Sequence, residues 1–210
     1  MHDLKSFRAP FLARDVIWEQ ADQFRGQYWP SGEIPVDVLA ITEHGLDIEI
    51  RPINDLKSDC DIDALLLRDE HTLLVDSTQF TDDRYYNRIR FSVAHELGHL
   101  VLHKDVYPPI VPTCLDEWIQ IIDLIPEDQY RWVENHANEF AGRLLVPPVH
   151  LKEHVTRAVE LAETHGANIT EMDADTVRDY VATAIYRPFQ VSPDVISRRL
   201  RFEADIWPPA

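Results

Sequence analysis

The stretch "RFSVAHELGHLVLH", Arg90 to His103, constrains this chain more than any other. It sets His95, Glu96, His99 and His103 among Phe91, Val93, Leu97, Leu100, Val101 and Leu102. A helix this apolar is expected to be buried, and buried imidazoles and carboxylates are costly unless something satisfies them. On a helix, residues four apart lie ~40° apart around the axis and one turn apart along it. His95 and His99 can therefore share one metal ion, with Glu96 beside it and not aimed at it. Zinc suits two neutral imidazoles and a carboxylate, with a further position left for water. It lowers the pKa of that water from 15.7 to about 7, worth roughly 12 kcal/mol, and a neighbouring glutamate can carry the proton. The spacing points to metal-assisted peptide hydrolysis. The plainer reading, polar residues on a solvated helix face, fits poorly with so many apolar neighbours. Gly98 costs about 1 kcal/mol against alanine in a helix, which predicts a close approach by another element.

A third ligand is not found further along the same helix. His103 lies eight residues after His95, about 12 Å along a helix, too far to share the metal. Asp105 stands ten residues after His95, but Leu102 occupies the position where a glycine would be needed to turn the chain back. A second helix is therefore expected to supply it. "ENHANEF" places Glu134 and Asn138 on one face, with small residues at 137, 141 and 142 for close packing. Glu134 can ligate, and Asn138 can hydrogen-bond a ligating imidazole. The plainer reading leaves Glu134 as a solvated helix residue. Glu139 and His136 project away from Glu134 and are expected to serve elsewhere.

The rest of the chain predicts an α+β fold in which a small, mostly antiparallel sheet packs on a helical core with further C-terminal helices. Residues 10–25 have helical spacing, and "IPVDVLAITEHG" reads as a short helix with Pro35 in its first turn. "LDIEIRPI" alternates as a strand, and "DALLLRDEHTLLVD" reads as a hairpin. Residues 81–103 read as one long helix begun by Thr81, Asp82 and Asp83. The Pro-rich segment 104–126 reads as loop with a short helix around "LDEWIQIIDL". Helices follow over 127–146, 147–166 and 173–186, and a last one has Ser192 as cap and Pro193 at its first position. "HTLLVD", 71–76, is expected to be an edge strand bordering the cleft and holding an extended substrate. Residues 1–150 are expected to form the metal-bearing domain, sheet and N-terminal helix included, with 151–210 a C-terminal helical subdomain.

The two motifs together, "RFSVAHELGHLVLH" and "ENHANEFAGRLLVPP", closely resemble the ImmA/IrrE metallopeptidases, a gluzincin-like family. Weaker likeness extends over about residues 30–200. The resemblance implies a zincin-like core, one Zn2+ per chain held by His95, His99 and Glu134, Glu96 as catalytic base, and Asn138 supporting a ligand. It also implies a regulatory, site-specific endopeptidase whose protein substrate is a helix-turn-helix repressor or an antitoxin-like protein. Two departures stand out. His136 replaces an acidic residue common in the family, and no room remains upstream for the helix-turn-helix domain that members often carry. Two alternatives compete: a protease-like toxin component held by a partner, and a zinc-containing sensor or binding module without turnover.

Composition narrows the setting. With 37 acidic and 20 basic residues among 210, the net charge is −17. Such a chain is repelled by nucleic acid and anionic membranes, so direct nucleic-acid binding is not expected. The two cysteines give neither a disulfide framework nor a cysteine-based zinc motif. No signal-peptide core or membrane-spanning run is seen, so a cytoplasmic location is expected. His150 and His154 read as a solvated pair, and the basic "SRRLR" as a solvated face or a dock for an acidic partner. Tyr85, Tyr86, Tyr107 and Tyr130 are candidates to steady an oxyanion.

Overall fold

The computed structural model describes residues 4–104, 112, 114–122, 124–167 and 169–207. It is an α+β fold. The chain runs through α1 (Arg14–Tyr28), α2 (Val38–Ala40), β1 (Glu49–Ile53), α3 (Leu56–Cys60), β2 (Ala64–Leu66) and β3 (Thr72–Asp76). Then come α4 (Ser77–Thr81), α5 (Tyr86–Leu102), α6 (Leu115–Ile122), α7 (Glu127–Leu145), α8 (Pro148–Thr164), α9 (Ala174–Ile185) and α10 (Pro193–Leu200). Asp105 and Tyr107 lie outside the described residues.

Apolar spacing turns α1, α5 and α7 onto one another. Ile17, Ala21 and Phe24 of α1, Ile89, Val93 and Leu97 of α5, and Phe140, Ala141 and Leu144 of α7 share one core. That core continues through Val181 and Ile196 to Trp207, so the last helices pack on the same hydrophobic mass. Arg90, 1 % exposed, ties α5 to this region. Its guanidinium donates to the carbonyls of Phe189 at 3.0 Å and Gln190 at 2.6 Å, and also to that of Val36. A buried guanidinium is tolerable only when its donors are used in this way.

The sheet is mixed, not mostly antiparallel. Its order is β1-β3-β2: β2 and β3 form the expected antiparallel hairpin, but β1 lies parallel to β3, with Glu49 opposite Thr72. The expected edge strand 71–76 is therefore the central strand, and its ladder groups are taken on both sides. The reason is burial. Every residue of β3 is buried, and a continuous apolar run suits an interior strand. The free edge nearest α5 belongs to β2.

Two helix boundaries also differ from the sequence reading. Asp37 accepts a hydrogen bond from Ala40 N at 3.0 Å, so α2 begins after Asp37 and continues as a π-helical turn over Ile41–Gly45. The long helix expected over 81–103 is broken. Asp82 is extended, and its carboxylate takes the Arg84 N–H at 3.0 Å, separating α4 from a 3-10 turn and α5. Asp76 accepts from Lys57 N and Gln79 N, both at 2.9 Å, so one carboxylate anchors the starts of α3 and α4 to the end of β3.

Candidate metal centre and substrate cleft

The site depends on how closely α5 and α7 approach. A Cβ on Gly98 would stand 3.0 Å from Ala137 Cα and 3.1 Å from its carbonyl oxygen. Only glycine lets the two backbones meet there, as its helix cost suggested. At this crossing the Glu134 carboxylate reaches both histidines: Oε2 lies 3.2 Å from His95 Nε2, and Oε1 lies 3.3 Å from His99 Nε2. The two Nε2 atoms are 2.9 Å apart.

The remaining ring nitrogens are also engaged. His95 Nδ1 faces the Asn138 side-chain oxygen at 3.1 Å; that oxygen only accepts, so Nδ1 carries the proton and Nε2 presents a lone pair. His99 Nδ1 meets His103 Nδ1 at 3.2 Å, and His103 Nε2 meets His136 Nδ1 at 3.3 Å. Electron-rich atoms of His95, His99 and Glu134 thus converge within 4.8 Å of one another. Two imidazoles and a carboxylate match the donor set zinc prefers, and lone pairs turned on one another need a cation between them.

The local charges fit this. Burial opposes ionisation of Glu134, yet the facing imidazoles of His95 and His99 hold its carboxyl far below the usual range. Burial opposes charge on His95 as well, but Glu134 outweighs it and raises that imidazole. His103 is pushed down to about 2, chiefly by burial.

Glu96 stands apart from the His95–His99–Glu134 cluster. Its carboxylate accepts the Leu66 backbone N–H at 2.9 Å, and burial raises its pKa above the ordinary glutamate value. It lines a pocket of about 310 Å³ together with both histidines, Glu134, Trp118, Tyr130 and strand β2. Burial and the facing Glu134 carboxylate, which also hydrogen-bonds it, push the Tyr130 phenol above its usual value. Of the four tyrosines considered from sequence, Tyr130 lines this pocket; Tyr85 and Tyr86 are surface residues elsewhere.

The β2 edge is oriented by its ladder. Asp63 O accepts from Asp76 N at 3.0 Å and Leu67 N donates to Thr72 O at 2.9 Å, so residues 63, 65 and 67 turn their polar groups toward β3. Ala64 and Leu66 turn theirs the other way, toward α5 and the pocket.

His103, His136 and Glu139 lie outside the His95–His99–Glu134 cluster. Glu139 instead accepts from Trp18 Nε1 at 2.7 Å. His150 bonds the Gly32 carbonyl at 2.8 Å, and the His154 ring packs edge-on to Phe189. Sequence reasoning missed Leu66, Trp118 and the His103–His136 pair. Nothing local announces these contacts.

A helix-borne HExxH pair, completed by a carboxylate from the next packed helix and set beside a small mixed sheet, defines a zincin-like peptidase fold. Residues 83–201 match the IrrE N-terminal-like domain, Peptidase_M78, and the chain belongs to that family of metallopeptidase type. Among solved structures, a Mycobacterium tuberculosis transcriptional regulator is similar at TM-score 0.51 and 16% identity over 95% of this chain. The present chain spans 48% of that one, about half its length, and the likeness concerns the fold. No curated protein matches.

Proposed function

We propose that this protein is a zinc-dependent, site-specific endopeptidase that cuts a regulatory protein, a helix-turn-helix repressor or an antitoxin-like protein. The observation that carries this reading is the convergence of His95, His99 and Glu134 beside a buried carboxylate, Glu96, that is not among the ligands. A purely structural metal site needs no such base.

Zinc bound there would supply Lewis acidity to water and to the scissile carbonyl. The chain's own residues do the rest. Asn138 fixes the His95 tautomer, and His103 braces His99. Glu96, with its pKa raised by burial, takes a proton from the attacking water and passes it to the leaving amine. The outward groups of Ala64 and the carbonyl of Leu66, whose N–H is held by Glu96, pair with an extended substrate segment, which gives affinity from the main chain and leaves selectivity to the pocket walls. Tyr130 hydrogen-bonds Glu134 and lines the same pocket as β2. A folded helical repressor offers no extended segment, so a linker or loosened end is the expected target. The description of the similar M. tuberculosis protein as a transcriptional regulator is in keeping with a regulatory setting. Among the described residues no helix is long and apolar enough to cross a membrane.

The decisive experiment incubates the zinc-loaded protein with the product of a neighbouring repressor gene and locates the cut by mass spectrometry. A single cut that disappears on chelation and in Glu96→Gln supports the reading. An intact repressor with fully zinc-loaded protein counts against it.

A further inference from the structure

A second cleft, of about 830 Å³, opens between the start of α1, α7 and α10, and the peptidase chemistry leaves it unused. Its volume is typical of small-ligand sites, which run from about 300 to 1,000 Å³. Its lining falls into two chemical halves. Arg14, Arg198 and Arg201 supply guanidiniums, and Phe11, Trp132 and Phe202 supply aromatic surface. Phe11 is 84% exposed and Trp132 52% exposed, so both leave ring faces in water beside cations.

Facing these are the carboxylates Glu139 and Asp194. Glu139 is already bonded to Trp18 and is shared among Arg14 at 3.5 Å and Arg198 and Arg199 at 3.9 Å. Behind it Arg199, 3% exposed, pairs with Glu203 yet keeps Nε and Nη1 without a hydrogen-bond partner among the described residues. Positive charge is therefore in local surplus within a chain of net charge −17. The α1 N-terminus opens here too, and Ala13 at its cap contributes no side-chain acceptor for the first-turn N–H groups.

His136 stands in the wall of the same cleft. It is 3% exposed and turns Nδ1 inward to His103 while Nε2 has no partner among the described residues.

We infer that this cleft is a binding site for a small anion bearing a flat aromatic ring, of the nucleoside monophosphate class. Arg198 and Arg201 fork onto the phosphate, and Trp132 borders the ring. The basic "SRRLR" stretch thus acquires a role as one wall of a ligand site.

The test is titration calorimetry of the zinc-loaded full chain with AMP, adenosine and inorganic phosphate. AMP is expected to bind once per chain, at least tenfold more tightly than either half alone. The Arg198→Gln/Arg201→Gln double variant should weaken AMP binding at least tenfold, and so should Trp132→Ala. Glu134→Gln, altered only in the metal pocket, should retain it. Absence of saturable AMP binding overturns the inference. So does binding lost in Glu134→Gln but kept in the arginine double variant, which would place the phosphate at the metal. Zinc content is measured separately: a protein that binds AMP through Arg198 and Arg201 but takes up no zinc would undo the peptidase reading and leave this site standing.

Discussion

Leu66 donates its backbone N–H to the Glu96 carboxylate at 2.9 Å, joining the free edge of the sheet to the HExxH helix. One hydrogen bond sets the proposed base directly beneath the strand on which a substrate would lie. It also holds a buried carboxylate whose pKa is raised by desolvation. Glu96→Gln keeps an acceptor for Leu66 and removes the base. Zinc content should be unchanged while cleavage falls by about 10²–10⁴, the usual cost of losing a general base. Metal analysis and a cleavage assay on the same preparation check this; loss of zinc would make Glu96 a ligand.

The same raised pKa fixes the sign of two pH effects. The base works deprotonated, so activity should fall as pH drops through a value above the ordinary ~4.3 of glutamate. For stability the direction reverses. A carboxyl with a higher pKa folded than unfolded binds protons more tightly in the folded state, so its contribution is best at low pH and is lost as pH rises through the folded value. At neutral pH metal-free Glu96→Gln should therefore melt above the metal-free parent, as calorimetry would show. An equal or lower melting temperature would mean that the charge is well solvated.

His95→Ala, His99→Ala and Glu134→Ala should each abolish zinc binding, because the metal centre has no spare side chain among the described residues. Chelation should lower thermal stability as well. Free zinc at about 1,000 times its dissociation constant stabilises the folded state by about 4 kcal/mol. A melting temperature indifferent to zinc and to chelator would contradict the assignment.

Gly98→Ala tests the close approach of α5 and α7. Alanine improves helix propensity by about 1 kcal/mol, but its Cβ meets Ala137 backbone at 3.0 Å, where overpacking costs about 1–3 kcal/mol. The clash should win, giving a net loss of up to about 2 kcal/mol in chemical denaturation. Zinc affinity should fall with it, since Glu134 rides on the displaced helix. A more stable variant with unchanged affinity would show that the crossing can relax.

The Ala64→Pro variant tests the substrate edge. Ala64 turns its N–H away from β3, so proline there removes a free donor and spares the ladder. Cleavage should drop at least tenfold, the equivalent of about 1.4 kcal/mol, with zinc and fold retained. Full activity in a folded, zinc-loaded variant would move the substrate off β2.

What the sequence determined was local. The 3.6-residue period placed α5, α7 and most other helices, the four-residue spacing paired His95 with His99 and Glu134 with Asn138, and Gly98 announced a close contact. These signals lie within one or two helical turns, where side chains on one face are neighbours whatever the rest of the chain does. Tertiary structure decided what joins residues far apart in sequence. A strand carries its own alternation, but its partners are chosen by contacts between β1, β2 and β3, so the central place of β3 and the free edge of β2 followed from packing. The Leu66 N–H that meets Glu96 is a backbone group, identical at every residue, and has no signature to read. The meeting of Arg14, Trp132 and Arg198 around one cleft likewise exists only because α1, α7 and α10 share a core. Packing of apolar faces brought those polar residues together.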